Sequence, residues 1–300
     1  MAPRVSVCIP AYNHARFLAA AIESALAQTY GDLEVIVCDN ASNDDTADIV
    51  RSIVAGDQRV RYERALRHVG MAENFNRAIS LARGTFVKLL CSDDVLEPEC
   101  VERLLRALEH ADAVLAGCAR RFMDESLRST LTIGRFSGRN WAGPGTEAAR
   151  RVFYHGNVIG EPTAVIFRRS AFERFEARYS QLVDLDVWLR MLERGRFAFV
   201  AEPLCRIRMH AGQATGESVS SSALSKDKRQ LFRDYARRAH MRGSLAERLL
   251  WDFRFAWSAR REPGMGAAND NADALFYPAL WRAMRFSAAV ASRLRKPLPV

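Results

Sequence analysis

The stretch Lys88-Leu-Leu-Cys-Ser-Asp-Asp-Val-Leu-Glu-Pro98 sets two adjacent carboxylates, Asp93 and Asp94, where an apolar run breaks off. Like charges side by side repel, and the cost grows as water is removed, so the pair either sits in water at a turn or is compensated by a cation. Other polar groups stand just past the ends of earlier apolar runs: Tyr12 and Asn13 in "IPAYN", and Asp39, Asp44 and Asp45 in "CDNASNDDT". If those runs are strands of one parallel sheet, all these groups share the rim beyond the strands' carboxyl ends, where open α/β sheets bind ligands. Neither a GxGxxG nor a GxxxxGK[ST] loop is present, so a dinucleotide fingerprint and a P-loop are both unsupported. An acidic rim without a glycine loop would hold a nucleoside diphosphate through a divalent cation. A simpler reading makes Asp94 a helix cap, with Glu97 three residues on and Pro98 in the first turn.

The elements that must position this rim are legible as alternating patterns. Apolar runs predict strands over 4–9, 33–38, 60–63, 85–91 and 113–118; helical spacing predicts helices over 15–28, 46–54, 71–83 and 98–109. Gly84 reads as the C-terminal stop of the third helix, as a residue that tolerates positive φ. Four β-then-α units imply a mostly parallel Rossmann-like sheet with helices on both faces. Beyond 119 the pattern loosens. Residues 134–146 read as a loop, 163–167, 197–201 and 204–209 as strands, and 185–194 as a helix. A polar stretch at 211–222 reads as a linker or mobile loop, followed by helical segments over 223–261 and 272–296.

In the second half Asp184 and Asp186 open the 185–194 helix, where an N-cap plus a first-turn acid is worth about 1 kcal/mol. Arg208 and His210 stand just before the polar stretch, and a lone histidine there is as readily structural as a ligand.

The segment 5–46 resembles the opening of family 2 glycosyltransferases, which have the GT-A fold. Pro10, Tyr12 and Asn13 match the family's first strand end, and Asp39, Ser42, Asp44 and Thr46 its second. Gly70, Asn76, Ala78, Ala82, Gly84, Asp93 and Asp94 come next at the family's spacing, and the likeness runs over about residues 4–210. The resemblance implies that Asp39 bonds the nucleobase of a nucleotide-sugar donor with Tyr12 packed near it. Pro10, Asn13, Asn76 and Arg208 would complete donor binding. Asp93 would touch the ribose or sugar, and Asp94 and His210 would hold Mn²⁺ or Mg²⁺. Asp184 would be the general base, with Asp186 as its substitute, and Glu161 and Trp188 would meet the acceptor. Two positions depart from the family pattern: Cys91 and Val183 stand where it has acids. The implied reaction is an inverting transfer to a glycan or lipid-linked acceptor in surface polysaccharide synthesis. A metal-dependent transfer of this kind needs one base and no covalent nucleophile. Alternatives are a nucleotidyltransferase, which would want a glycine-rich basic first loop that "PAYNHARF" lacks, and a catalytically inactive sugar-nucleotide-binding protein.

Charge is uneven. The net charge is +9, yet residues 211–300 hold 16 Lys+Arg against 8 Asp+Glu, leaving 28 against 27 in 1–210. The expected division is therefore a transferase domain over 1–210, with a donor half (1–118) and an acceptor half (119–210). The basic, aromatic 223–300 region would pack back on the catalytic domain or on a second subunit of a homodimer, or serve peripheral contact with an anionic membrane. No nucleic-acid module is recognisable. The six cysteines form no CxxC pair and read as buried free thiols of a reducing compartment. No apolar window reaches the roughly 18–20 residues of a membrane span, and "MAPRVSVCIPAYN" has no signal-peptide pattern. A cytoplasmic location, on or off the membrane face, is the expectation.

Overall fold

Strands β1 (Val5–Ala11) and β2 (Leu33–Asp39) are buried along their whole length, as strands covered on both faces must be. They pair in parallel, Val5 opposite Leu33 and Ala11 opposite Asp39, so their carboxyl ends finish level. In this computed structural model residues 2–126, 128–133, 138–155, 157–210 and 222–249 are described. Most of the predicted 211–222 linker, the 272–296 helix and the rest of 250–300 lie outside them.

Ten described strands form one sheet. β3 (Val60–Arg64), β2, β1 and β4 (Phe86–Leu89) lie in that order and are all parallel. β1 thus sits at the point where the order reverses, and the crevice beyond β1 and β4 is where such sheets take ligands. The order continues with β9 (Val165–Arg168), β6 (Ala113–Met123), β10 (Arg196–Arg208) and β5 (Val95–Leu96). Here the sheet is mixed: β9 runs antiparallel to both β4 and β6, while β6 and β10 are parallel. β7 (Ser129–Ile133) and β8 (Trp141–Pro144) add antiparallel to β6 and β10.

One face is covered by α1 (Ala15–Leu26), α2 (Thr46–Gly56) and α4 (Cys100–His110), which bury Leu18, Ile22, Val50, Leu104 and Leu108 in one apolar cluster. The other is covered by α3 (Met71–Ser80), α5 (Gly145–His155), α6 (Val183–Leu192) and α7 (Ser222–Ala236), which bury Ile79, Val152, Trp188 and Phe232. Phe232 stacks on Phe153 with ring centroids 3.9 Å apart. Leu231, Phe232, Tyr235 and Met241 are therefore part of this core layer, so this stretch packs on the catalytic domain.

Several expectations are corrected. Within the expected 134–146 loop, Trp141–Pro144 form β8 and 145–146 open α5. The strands read at 197–201 and 204–209 are one element, β10, with bulge-like register shifts near Pro203. Gly84 does not cap α3, which ends at Ser80. A Cβ on Gly84 would lie 2.8 Å from Ser6 N and 2.9 Å from Ser6 Oγ, so glycine is needed for close approach of β4 to β1. Five cysteines are buried free thiols, but Cys91 is only partly buried.

Candidate active site

The rim is built by loops stitched to one another. Asn13 adopts a left-handed backbone (φ 52), a conformation asparagine accepts more readily than most residues. Its N–H donates to Ser42 Oγ (3.0 Å), and its Oδ1 accepts from Asn43 N (2.9 Å). Asp44 Oδ2 accepts from Ala15 N at the start of α1 (2.9 Å). Asp39 is fully buried; Oδ1 accepts from Ser42 N (2.8 Å) and Oδ2 from the Tyr62 hydroxyl (2.7 Å). Its neighbour Asn40 pins the next loop through two bonds with Val69.

Between these loops and the start of α6 lies a cleft of about 460 Å³. Pro10, Tyr12, Asn40 and His68 line it together with Cys91, Asp93, Asp94, Glu161 and Asp184. Tyr12 is 42% exposed and its ring lies 4.2 Å from that of His68, an aromatic surface at the mouth.

The carboxylate pair is buried. Asp94 Oδ2 accepts from Thr163 Oγ1 (2.5 Å) and Oδ1 from Arg208 N (2.9 Å). Burial first, and then the neighbouring Asp93, push the Asp94 carboxyl well above its ordinary range. Asp93 Oδ2 lies 3.0 Å from His210 Nε2. Arg208 Nε donates to Asp93 O (2.8 Å). Lys88, fully buried below, donates to the backbone oxygens of Leu89, Thr163 and Val165, which ties the Thr163 turn to β4. The helix-cap reading of Asp94 is overturned: β5 comes directly after it, and α4 starts only at Cys100.

Two groups among the described residues place ligand atoms within 4.8 Å of one another: Cys91, Asp93 and Asp94, and His14, Asp93 and His210. Asp93 belongs to both. Among the described residues no ammonium or guanidinium is bonded to the side chains of the Asp93–Asp94 pair, although the Arg208 guanidinium lies near both. Such a pair fits a divalent cation, which would offset the repulsion between them.

Asp184 sits in the first turn of α6, its Oδ1 accepting from Leu185 N (2.8 Å). Burial, reinforced by the nearby Glu161 charge and opposed by Arg120, pushes its carboxyl up to about 7. Glu161 itself pairs with Arg120 (Oε2 to Nε 2.5 Å). A carboxyl that titrates near neutrality at a cleft wall is suited to taking a proton.

Residues 6–175, more than half the chain, match the family model described as glycosyl transferase family 2. The chain belongs to that family. Among its family 2 relatives, the chondroitin synthase of Escherichia coli is 34% identical over 215 residues, 71% of this chain but 30% of the synthase. The chain thus corresponds to under a third of that relative. Among solved structures, Staphylococcus aureus TarS 1–349 in complex with UDP-GlcNAc has a TM-score of 0.66 at 16% identity, over 95% of this chain and 88% of that one. The mannosyltransferase PcManGT from Pyrobaculum calidifontis, in complex with GDP-Man and Mn²⁺, has a TM-score of 0.59 at 16% identity, over 99% and 82%. The fold is therefore of the GT-A type of these transferases.

Not every residue singled out by family 2 likeness reaches the cleft. Pro10, Tyr12, Asp93, Asp94, Glu161 and Asp184 line it. Asp186 does not fit as a substitute base. It is fully buried and accepts from Arg190 Nε (3.1 Å), the Tyr235 hydroxyl (2.8 Å) and Arg178, which joins α6 to α7. Trp188 does not fit as an acceptor contact. It is fully buried between Phe167 and Phe175. Asn76 bonds Phe175 at both backbone atoms (2.7 and 3.0 Å) and so clamps a loop. Arg208 donates to Asp93 O in the acidic turn and to Glu125 O (2.9 Å). Asp39 organises the rim through both oxygens, and its neighbour Asn40 lines the cleft. Sequence reasoning missed His14, His68, Asn40 and Arg120. His14 and Asn40 carried a signal, His14 standing directly after Pro10-Ala-Tyr-Asn13 and Asn40 directly after Asp39.

Proposed function

We propose that this protein transfers a sugar from a nucleoside-diphosphate donor, UDP-linked in the first instance, to a glycan or lipid-linked acceptor with inversion. The observation that carries the reading is one cleft lined by the buried Asp93–Asp94 pair, a neutral-titrating Asp184 and the Tyr12–His68 surface. The rim around Tyr12, His68 and Asn40 receives the nucleoside. Asp93 with His210 holds the cation, Mn²⁺ or Mg²⁺, and Asp94 supports the turn. When bound, the cation supplies positive charge against the departing diphosphate. Asp184 takes the proton from an acceptor hydroxyl as that oxygen bonds to the anomeric carbon and the carbon–oxygen bond to the diphosphate breaks. Glu161 and its partner Arg120 sit beside Asp184 on the acceptor side. The chondroitin synthase relative favours a polysaccharide acceptor, and no helix among the described residues is long and apolar enough to cross a membrane.

The test is a panel of UDP-, GDP- and dTDP-sugars, read by thermal shift with and without Mn²⁺ and then by donor turnover. Release of a nucleoside diphosphate supports transfer or hydrolysis of the sugar. Release of a sugar 1-phosphate would point to nucleotidyl transfer, and no divalent-dependent shift with any donor sinks the reading.

A further inference from the structure

We infer that His14 is a third protein ligand of the cation site, and that two imidazoles with one carboxylate bias this site toward Mn²⁺ over Mg²⁺. The inference rests on the cation-assisted transfer proposed above and concerns which residues complete the site. His14 lies between β1 and α1, far in sequence from the Asp93–Asp94 turn and from His210 at the end of β10. The fold nevertheless brings ring nitrogens of His14 and His210 and an oxygen of Asp93 within 4.8 Å of one another. The two imidazoles meet edge to face, centroids 5.6 Å apart at 82°, so they converge and do not stack.

Both rings are held. His14 Nδ1 is bonded to Ser92 Oγ (2.8 Å), in the residue next to Asp93. Ligand histidines carry such a bond on the ring nitrogen that does not face the metal, because it fixes the plane and tautomer. Phe17 packs against His210 (4.9 Å between centroids) and more loosely against His14 (6.2 Å). His210 Nε2 lies 3.0 Å from Asp93 Oδ2, and Arg16 Nη2 lies 3.4 Å from His210 Nδ1. A cation held by Nε2 and Asp93 would put the imidazole proton on Nδ1, with the half-exposed Arg16 side chain swinging aside.

The donor set decides the preference. Mg²⁺ is a hard ion that keeps its waters and favours oxygen ligands. Imidazole suits transition ions, and affinity along the first-row series rises from Mn²⁺ through Co²⁺. A site of carboxylates alone has no such lever. Two nitrogens on rigid rings provide it.

The experiment titrates the full-length protein with MnCl2, following loss of the free Mn²⁺ electron paramagnetic resonance signal, with and without UDP. Competition by MgCl2 gives the Mg²⁺ affinity, and CoCl2 gives visible absorption bands that report ligand type. Wild type should bind Mn²⁺ at least about ten-fold more tightly than Mg²⁺. His14→Ala and the size-preserving His14→Gln should weaken Mn²⁺ by about ten-fold or more, with Mg²⁺ much less affected and the Co²⁺ bands altered. Asp93→Asn should abolish binding of both. If both His14 variants, folded by circular dichroism, bind Mn²⁺ and Co²⁺ as wild type does while Asp93→Asn binds neither, the His14 inference falls and the transfer reading stands. If wild type binds no divalent cation even with UDP, both fall together.

Discussion

The Asp184 carboxyl gives a sharp kinetic prediction. An ordinary aspartate, with a pKa near 3.9, is ionised throughout the neutral range. Here burial and Glu161 push it up to about 7. The active form of a base is the deprotonated one, so kcat/KM should rise with pH through about 7. Between pH 8 and pH 6 the ionised fraction falls from about nine-tenths to about one-tenth, so the rate should drop about ten-fold. Glu161→Gln removes a negative charge that raises this pKa, so the rising limb should move to lower pH and the pH 8 to pH 6 ratio should shrink. Asp184→Asn should lower turnover by 10²–10⁴-fold, the usual worth of a general base, while donor affinity holds. Stability depends on the same group with a definite sign. Because the folded-state pKa is raised, the carboxyl is tolerated when protonated and penalised as pH climbs from about 4 toward about 7. The melting temperature of Asp184→Asn should therefore gain on wild type across that window. The assay is initial-rate nucleotide release at saturating Mn²⁺ from pH 5.5 to 8.5, with Mn²⁺ affinity measured at each pH. A wild-type profile that is flat between pH 6 and 8 refutes the burial argument, and Asp184→Asn turning over at more than a tenth of wild type refutes the base assignment.

Asp93→Asn should abolish Mn²⁺-dependent nucleotide binding, whereas Asp94→Asn should cost less, because Asp94's oxygens already accept from Thr163 and Arg208; calorimetric titrations that reverse this order overturn it. Gly84→Ala drives a Cβ against the backbone of Ser6 and should destabilise by roughly 1–3 kcal/mol, read by urea denaturation; an unchanged midpoint refutes the close-approach reading. Tyr235→Phe leaves buried Asp186 short of one donor and should cost about 1–3 kcal/mol. Its specific activity at 25 °C should be unchanged, and loss of activity in still-folded protein would place Asp186 nearer the chemistry than its packing implies.

The rim was legible because parallel strands covered on both faces read as apolar runs, and the residues just past the end of each run lie on one edge. That logic holds for β1, β2 and β4, and it places Tyr12 and Asp93–Asp94 without any alignment. It fails where a helix must choose a face. Asp184 and Asp186 are two residues apart, which on a helix is about 200° of rotation. Only one can look into the cleft, and the spacing alone does not say which. The choice is made by α7, whose Tyr235 takes Asp186, so it depends on a contact 49 residues away in sequence. Trp188 was misread for a related reason. It lies one turn beyond Asp184 on the same side, but there the helix is already under Phe167 and Phe175. The same logic gives Asp39 a structural use beside the one the family likeness implies. A carboxylate at a strand end is as valuable for gathering the N–H and O–H groups of neighbouring loops as for meeting a nucleobase, and each Asp39 oxygen already accepts one such bond. Local patterns do not specify the partner each polar group already has, and at this rim those partners decide which side chains are left for a ligand.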